Sequence, residues 1–581
     1  MTRTDSREDA RAEIHPQTRP PTSTAERPEP TAAHPGRTAS GHLEPHPAHP
    51  GRTATIHAET HAAHPGHAAA QRPEPRGTAH PDRDAAGRIE THGVDFVPTD
   101  QRHGRPRELT WIWMSTNVVY LNFVLGGTMT LLGLSLVNCL LVVLLGNLWW
   151  LLVGYLAISG PAAGSPSVVI MRAIFGVRGN RMFGAGLGVL IGLLYVIINL
   201  AFAFLAGMAL LEFLGVAPSS PLRWLVLLVV AAATFTVSVY GHATITKLSP
   251  WLTLALAACF GVLGFFILGA ADFGYTVAAQ TTDARWAAFL LGFTIISSGP
   301  LSWGTGADYS RYLPERSKPS RVLIWTAIGG FIPAVLIAWL GVLAGTRMDM
   351  TDPQTALLQI LPGWFYPVFL FAILLGSTAN NVLCSYSTSL YIQALGVRLP
   401  RAATVLLTAA ITIAASAWLL FVAESFLDTL NSALEISVAV LGPSVAVYAA
   451  DLALRRNRYS GPDLALETPD SPFWFSGGYC WPGIIAISAA TLAAVATSNT
   501  TLYQGPISVL LDGADLSALV GPPSSAPEST PSSGAALPLP ELIRSSHAHD
   551  SRPRHSPRVH PNGCPKPAPP AGRARAASLA P

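Results

Sequence analysis

The sequence predicts an all-α integral membrane protein whose first ten helices form an inverted five-plus-five repeat. Only 12% of the residues are charged, about half the roughly 25% expected of a soluble domain. Uncharged apolar runs of about 18 to 25 residues recur between Trp111 and Val520, and this length crosses a bilayer core of about 30 Å. Two of these runs, five spans apart, are interrupted by small and polar residues.

Eleven apolar spans can be counted along the chain, and a twelfth begins near Tyr503 but is cut short. Each of the eleven is long enough, and poor enough in charge, to cross a membrane as a helix. The predicted spans cover residues 109–133, 135–158, 182–213, 223–241, 250–271, 286–307, 321–345, 364–394, 403–422, 429–450 and 479–498.

The loop charges support this count. Loops on one side of the predicted membrane carry thirteen Lys and Arg residues, whereas those on the other side carry three, Arg223, Arg285 and Arg347. Positive residues concentrate in cytoplasmic loops. We therefore predict a multi-pass protein of the cell membrane with a cytoplasmic N-terminus.

The two ends of the chain differ from this domain in composition. Residues 1–94 are rich in Ala, Pro and His and repeat the motif AHPGRTA or AHPGHAA from Ala33, Ala48 and Ala63. Residues 521–581 are rich in Pro, Ser and Arg. Both segments lack the apolar residues needed for a core, so we predict disordered tails around a transporter domain at 95–520. Flexible His repeats seldom form a defined metal site, and we predict no metal other than Na⁺.

The interruptions lie in spans 1 and 6. In span 1, the stretch from Ser115 through Asn117 to Asn122 precedes Gly126; in span 6, small residues and Pro300 crowd into Ser297–Gly306. Unwound backbone in a membrane survives only where it lines a polar cavity. Because the offset of five spans reverses orientation, the pattern predicts two discontinuous helices of an inverted repeat. Small residues also permit close helix packing, which is the alternative reading.

Spans 3 and 8 carry polar groups that suit a substrate or an ion. Tyr195 and Asn199 are four residues apart, so they share one helical face; interhelical hydrogen bonding explains them equally well. Span 8 contains GSTANNVLCSYSTS from Gly376. Its hydroxyl oxygens suit a hard cation, and its Asn amides can both donate and accept hydrogen bonds.

One carboxylate lies deep in a predicted span. Glu435 of span 10 is a candidate proton site, because ionisable residues within membranes are often functional, although a wet interface also accounts for it. The sequence has no GxxxxGK[ST], HExxH or GxSxG motif. ATP-driven transport by this chain and a membrane enzyme are therefore not predicted.

The chain resembles the nucleobase:cation symporter family of the purine-cytosine permease type, from about Gly93 to Val520. Five ordered segments carry the resemblance: GVDFVPTDQRHGRPRELTWIW, GPAAGSPSVVIMRAIFGVRGN, YGHATITKLSPW, WGTGADYSRYLP and ANNVLCSYSTSLYIQALG. The resemblance implies a LeuT-type fold of twelve spans. It also implies secondary symport of a heterocycle such as cytosine, a purine, uracil, allantoin or a hydantoin.

The resemblance also assigns site residues. The family's aromatic-plus-amide pair falls on Tyr195 and Asn199, where some members have Trp and Gln. An aromatic position of span 6 falls near Ser298 or Gly299, and the nearest ring here is Trp303. The Asn pair of span 8 matches Asn380 and Asn381, and the sodium-site hydroxyls match Ser377 and Thr378. The sequence departs from the family after Val520, where an apolar twelfth span is replaced by GPPSSAPESTPSSG.

We therefore expect a symporter that imports a nucleobase or related heterocycle with H⁺ or Na⁺ by alternating access. The expected partners are this substrate and the lipid bilayer, without nucleic acid or cofactor. An amino-acid or other small-solute transporter of the same fold and a non-transporting membrane receptor remain alternatives. The expected cation ligands are Ser377 and Thr378, and the expected substrate ligands are Asn117, Tyr195, Asn199, Ser298, Gly299, Trp303, Asn380 and Asn381.

Overall fold

A computed structural model describes residues 86–90, 92–278, 280–422, 426–500 and 503–524, without the side chains of residues 426–431 and 521–524. The predicted disordered tails lie almost wholly outside these residues. The described part of the chain is helical and contains no β-strand.

The described residues form twenty-two α-helices, together with a 3₁₀ turn at Thr99–Gln101 and a π-helical turn at Arg181–Gly186. In chain order they are α1 Glu108–Asn117, α2 Tyr120–Leu131, α3 Leu136–Asn147, α4 Trp150–Ala157, α5 Ser159–Ala163, α6 Ser167–Ile170, α7 Arg172–Phe175, α8 Val177–Asn180, α9 Leu187–Phe213, α10 Ser220–Tyr240, α11 His242–Ala270, α12 Thr282–Leu301, α13 Gly306–Ser310, α14 Pro319–Gly345, α15 Pro353–Leu357, α16 Tyr366–Ala394, α17 Arg401–Phe421, α18 Phe426–Leu454, α19 Gly461–Ala465, α20 Trp481–Ala496, α21 Pro506–Leu510 and α22 Ser517–Ser524.

Nine helical segments among the described residues are long and apolar enough to cross a membrane. Two predicted spans fall outside this set. Helix α20 is apolar but has 16 residues, and the first predicted span is divided between α1 and α2, of 10 and 12 residues.

The first helix break consists of Val118 and Val119. Val119 is extended, with φ −140° and ψ 148°, so α2 starts in a new direction. The Asn122 side chain donates to the Asn117 carbonyl oxygen at 2.8 Å. This bond satisfies a carbonyl at the end of α1 that lacks a helical partner.

The second break, Ser302–Thr305, lies between α12 and α13. The sequence prediction of a break over Ser297–Gly306 was therefore wrong in extent, because Ser297 to Leu301 remain helical. The Ser298 and Ser302 hydroxyls donate to the carbonyls of Ile295 and Gly299, both at 2.6 Å. A serine whose hydroxyl bonds to a carbonyl of the preceding turn can remain in a helix.

Glycines allow α2 and α14 to pack at backbone contact. A Cβ added to Gly126 would lie 1.9 Å from the Ala338 carbonyl oxygen, and one added to Gly341 would lie 1.9 Å from the Phe123 carbonyl oxygen. Small residues at such interfaces are typical of membrane helices. The two glycines therefore allow the close contact that holds α2, the helix after the first break, against α14.

Replacing Gly341 with valine should lower the thermal unfolding midpoint in detergent sharply, because the side chain has no room. Overpacking typically costs about 1–3 kcal/mol, and a clash with backbone belongs at the upper end of that range. Gly261→Val on α11 is the matched control, since a Cβ there meets nothing within 4 Å. Equal midpoints for the two variants would contradict the described packing.

The chain beyond α20 does not form a twelfth long helix among the described residues. Helix α22 instead packs against α18, α20 and α12. Asp515, just before α22, is buried and accepts a hydrogen bond from the Thr294 hydroxyl of α12 at 3.1 Å. The segment that the sequence suggested was cut short is thus folded onto the helix bundle.

The packed domain begins earlier than the predicted boundary at residue 95. The Glu90 side chain is fully buried and accepts from the backbone N–H of His242 at 2.8 Å. The Gly93 carbonyl accepts from Arg311 at 2.7 Å. Residues assigned to the N-terminal tail from composition are therefore part of the bundle.

Candidate functional site

A chain of hydrogen bonds joins three helices at the predicted substrate site. The Tyr195 hydroxyl of α9 donates to the Ser298 carbonyl oxygen of α12 at 3.0 Å. The Asn380 amide of α16 donates to the Asn199 side-chain oxygen at 3.1 Å, and Asn199 donates to the Tyr195 carbonyl at 2.7 Å. All four residues are buried. Four of the predicted residues therefore lie together.

Close packing of α9 against α16 brings Asn199 and Asn380 within hydrogen-bond distance. A Cβ on Gly192 would lie 2.3 Å from the Thr388 hydroxyl oxygen, and one on Gly188 would lie 2.3 Å from the Tyr391 ring. The absence of side chains at these glycines allows the close helix contact.

A cavity opens beside this chain of hydrogen bonds, between α9, the second break, α16 and α18. Tyr195 and Trp303 both contribute aromatic surface to it, and serines and threonines contribute hydroxyl groups. Such a site can stack a planar ring and hydrogen-bond to its edge. The residues that line the cavity are Gly188, Ile191, Gly192, Tyr195, Ser302, Trp303, Thr305, Cys384, Ser387, Thr388, Tyr391 and Leu441.

Aromatic neighbours hold the Trp303 ring in place. The ring of Trp113 in α1 meets Trp303 edge-on at a centroid distance of 5.2 Å. Trp113 also contacts Trp150 of α4 at 5.4 Å and Tyr309 of α13 at 5.5 Å. Edge-to-face pairs at these distances are favourable. The two broken regions of the chain therefore meet through aromatic side chains.

Three further predicted residues hydrogen-bond within their own segment of the chain. The Asn117 amide donates to the Trp113 carbonyl at 2.8 Å, and the Thr378 hydroxyl donates to the Leu374 carbonyl at 2.8 Å. The Gly299 carbonyl accepts from the Ser302 hydroxyl at 2.6 Å. Of the predicted ligands, Tyr195 and Trp303 line the cavity. The others do not: Asn117, Asn199, Ser298, Gly299, Ser377, Thr378, Asn380 and Asn381.

Asn381 and Ser377 are buried without hydrogen-bond partners. Both polar atoms of the Asn381 amide and the Ser377 hydroxyl lack a partner. Ser385, four residues after Asn381 and thus on the same helical face, accepts from Ser238 of α10 at 3.2 Å. Asn381 therefore belongs to the face of α16 turned towards α10, whereas its neighbour Asn380 faces Asn199.

A glycine of α16 lies nearest to the first break. A Cβ on Gly376 would lie 3.5 Å from the Val118 carbonyl oxygen. Among the described residues, no hydrogen bond links the Ser377 or Thr378 hydroxyl to Val118 or Val119.

Sequence reasoning missed a buried ionic cluster at the end of α13. Glu90 lies 3.4 Å from Arg311 and 3.6 Å from Arg401, and each of these side chains is at most 1% exposed. The Tyr386 hydroxyl donates to Glu90 at 3.1 Å, and Tyr312 donates to it as well. Buried arginines need a counter-charge. This requirement was the signal by which the sequence could have indicated an acidic partner.

The charge of Glu90 is set by its partners. Burial alone raises the pKa of its carboxyl group, but Arg401 and Arg311 lower it, and so do hydrogen bonds from Tyr312 and the His242 N–H. The net effect is a pKa below the ordinary value, so Glu90 is an ionised member of the cluster.

Comparisons with known proteins agree with this fold. A family described as "Permease for cytosine/purines, uracil, thiamine, allantoin" matches residues 96–521. YxlA of Bacillus subtilis (strain 168), named as a purine-cytosine permease, is 24% identical over 456 residues, which cover 75% of this chain and 93% of YxlA.

Two solved structures of Mhp1, a nucleobase-cation-symport-1 family transporter, share the fold. Mhp1 closed with bromovinylhydantoin bound gives a TM-score of 0.60 at 16% identity, covering 77% of this chain and 93% of Mhp1. Inward-facing Mhp1 gives 0.57 at 17% identity, covering 75% and 94%. The family match confirms the predicted family. As predicted, the relatives are permeases and transporters and not enzymes. The chain is a multi-pass membrane transporter that belongs to the nucleobase:cation symporter family of permeases for cytosine, purines, uracil, thiamine and allantoin.

Proposed function

We propose that the chain imports a nucleobase or related heterocycle, such as cytosine, a purine, uracil, allantoin or a hydantoin, together with H⁺ or Na⁺. The observation that carries this proposal is the cavity lined by both Tyr195 and Trp303. The hydrogen-bonded amides of Asn199 and Asn380 lie next to Tyr195. The names of the relatives, a purine-cytosine permease and a transporter crystallised with a hydantoin, support it further.

In the proposed complex the heterocycle stacks between Tyr195 and Trp303. Its polar edge takes hydrogen bonds from the Asn199 and Asn380 amides, which bond to each other without substrate. An amide can donate and accept at once, so the pair suits rings that present both types of group. Backbone groups at Ser298 and Gly299, and the amides of Asn117 and Asn381, contribute after local rearrangement.

Transport proceeds by alternating access around the two breaks. Val118–Val119 and Ser302–Thr305 mark spans 1 and 6 of an inverted five-plus-five repeat, with twelve membrane-inserted elements including the shortened last one. Discontinuous helices at corresponding places in two halves indicate the substrate site of a transporter. The N-terminus is cytoplasmic and the protein lies in the plasma membrane, as the loop charges favour.

The coupling cation binds within the same bundle. For Na⁺, the candidate ligands are the Ser377 hydroxyl, which has no partner, Thr378 after it leaves Leu374, and carbonyl oxygens of the first break. For H⁺, the candidate is Glu435. Binding of substrate and cation together shifts the population towards an occluded state.

Uptake assays test this function directly. The chain is expressed in a strain without its own permeases and offered radiolabelled cytosine, hypoxanthine, uracil, allantoin and a hydantoin, with and without Na⁺. We expect accumulation of at least one heterocycle above the vector control. Uptake of amino acids instead would identify another transporter of this fold. Binding without gradient-driven accumulation in proteoliposomes would identify a receptor.

A further inference from the structure

Glu435 is a buried carboxyl group that the cavity does not use. It lies on α18, is 4% exposed, and its Oε2 atom has no hydrogen-bond partner. A second carboxyl group, that of Asp515, is 1% exposed and acts on Glu435 through its charge. Buried ionisable groups within membrane helices are costly, which makes such a pair a candidate for function.

Asp515 is held by four hydrogen-bond donors. Its carboxyl oxygens accept from the Thr294 hydroxyl at 3.1 Å, the Asn499 N–H at 2.8 Å, and the Ser517 N–H and hydroxyl at 2.9 and 2.7 Å. Every bond places a donor against the carboxyl group, whose oxygens act as the acceptors. Three of these bonds end on Oδ1 and one on Oδ2, so Asp515 is an acceptor fixed by donors of the chain itself.

Glu435 lacks such donors and faces the charge of Asp515. Two neighbouring buried carboxylates repel each other, and protonation of one removes that repulsion. Na⁺ needs several free oxygen ligands, but Oδ1 of Asp515 already accepts three hydrogen bonds and Oδ2 accepts one. A proton is the cation that this arrangement can hold on Glu435.

The remaining charged or titratable groups around α18 must also be considered. Among the described residues, Asp515 is the one whose charge acts on Glu435; the side chain of Asp428 is not described. Helices α20 and α22 carry no titratable side chain. On the other elements packed against α18 and on α18 itself, these groups are Tyr155, Arg172, Tyr195, Glu212, Asp283, Arg285, Tyr448 and Asp451.

The carboxyl pair connects to α18, which contributes Leu441 to the cavity, and to α12, which leads into the second break. Glu435 precedes Leu441, a cavity residue, by six positions on α18, or about 9 Å along the helix. Asp515 is bonded to Thr294, which lies seven positions before the end of α12 at Leu301. A change of charge on Glu435 therefore acts on the contact between α18, α12 and the segment before α22.

We propose that Glu435, buried on the helix against which α22 packs, binds the coupling proton of the transporter. This inference rests on the symport function proposed above and names its ion. The C-terminal segment, in place of a full twelfth span, supplies the negative charge that favours a proton on Glu435.

Proteoliposomes containing the full chain test this proposal. The probe is radiolabelled cytosine, or the heterocycle of the uptake panel with the highest rate, driven by an inward proton gradient or by an inward Na⁺ gradient. We expect wild type to accumulate it with the proton gradient alone. Glu435→Gln should reduce this accumulation at least 10-fold while heterocycle counterflow, which needs no net proton movement, continues. Glu212→Gln on the exposed end of α9 is the matched control and should behave as wild type.

A pH-sensitive dye inside the vesicles gives a second readout. Addition of the heterocycle should acidify the lumen for wild type, weakly for Glu435→Asp and not for Glu435→Gln. Glu435→Asp, which retains the carboxyl group, serves if the Gln variant does not fold. Two results would overturn this assignment while leaving the proposed transport intact. One is proton-driven accumulation by Glu435→Gln. The other is accumulation by wild type that needs Na⁺ and brings no proton. If wild type showed neither accumulation nor counterflow, the proposed transport itself would be overturned, and this assignment with it.

Discussion

Replacing Asn199 with alanine is expected to lower heterocycle uptake by about 10- to 100-fold. The change removes the acceptor for the Asn380 amide and leaves that buried amide without its partner. An unsatisfied buried group costs about 1–3 kcal/mol, which corresponds to that range of binding constants. The measurement is the initial rate of radiolabelled uptake in permease-deficient cells, normalised to the amount of protein in the membrane.

The control and the double variant sharpen this test. Asn138→Ala on α3 removes an amide that belongs neither to the cavity nor to the chain of hydrogen bonds at Tyr195, and it should leave uptake unchanged. Asn380→Ala combined with Asn199→Ala should cost less than the sum of the single changes, because the two side chains contact each other. If both Asn199→Ala and Asn381→Ala left uptake of every nucleobase unchanged, the proposed site would be wrong.

Replacing Glu90 with alanine is expected to destabilise the protein by about 3–5 kcal/mol, since it leaves Arg311 and Arg401 buried without their counter-charge. Both arginines and Glu90 are at most 1% exposed. The measurement is the thermal unfolding midpoint in detergent. Asp272→Ala is the control, because its ion pair with Arg347 is exposed and such pairs contribute about 0–1 kcal/mol.

The same cluster predicts a pH dependence. Because the pKa of Glu90 is lowered by folding, its contribution is complete above the unfolded pKa and is lost as pH falls through the lower folded pKa. The difference in midpoint between wild type and Glu90→Gln should therefore be constant at neutral pH and shrink on acidification. A difference that increased in acid would show that Glu90 is not an ionised partner of the arginines.

Sequence reasoning found the long helices because their apolar composition is a local property. It also predicted breaks in spans 1 and 6, since small and polar residues are unusual in spans. It placed the second break too early because hydroxyl bonds to the preceding turn, as at Ser298, are invisible in composition. The pairing of Asn199 with Asn380 required knowing how α9 and α16 pack, although both residues were selected beforehand.

Two buried carboxyl groups were beyond the sequence for the same physical reason. Glu90 lies in a segment rich in Ala, Pro and His, and its partners are more than 150 residues away in the chain. Asp515 lies where the last span seemed to be cut short, and its link to Thr294 spans 221 residues. Buried charges are recognised by their surroundings, and those surroundings exist only after folding.

The contact between Trp113 and Trp303 gives this transporter a built-in optical reporter. Indole fluorescence responds to the polarity and geometry of the ring's surroundings, and these two rings, 5.2 Å apart, connect helix α1 to the second break. Movement of the break must separate or rotate them. The difference in emission between the unmodified protein and Trp303→Phe would then follow the opening of the cavity in real time, without an attached label.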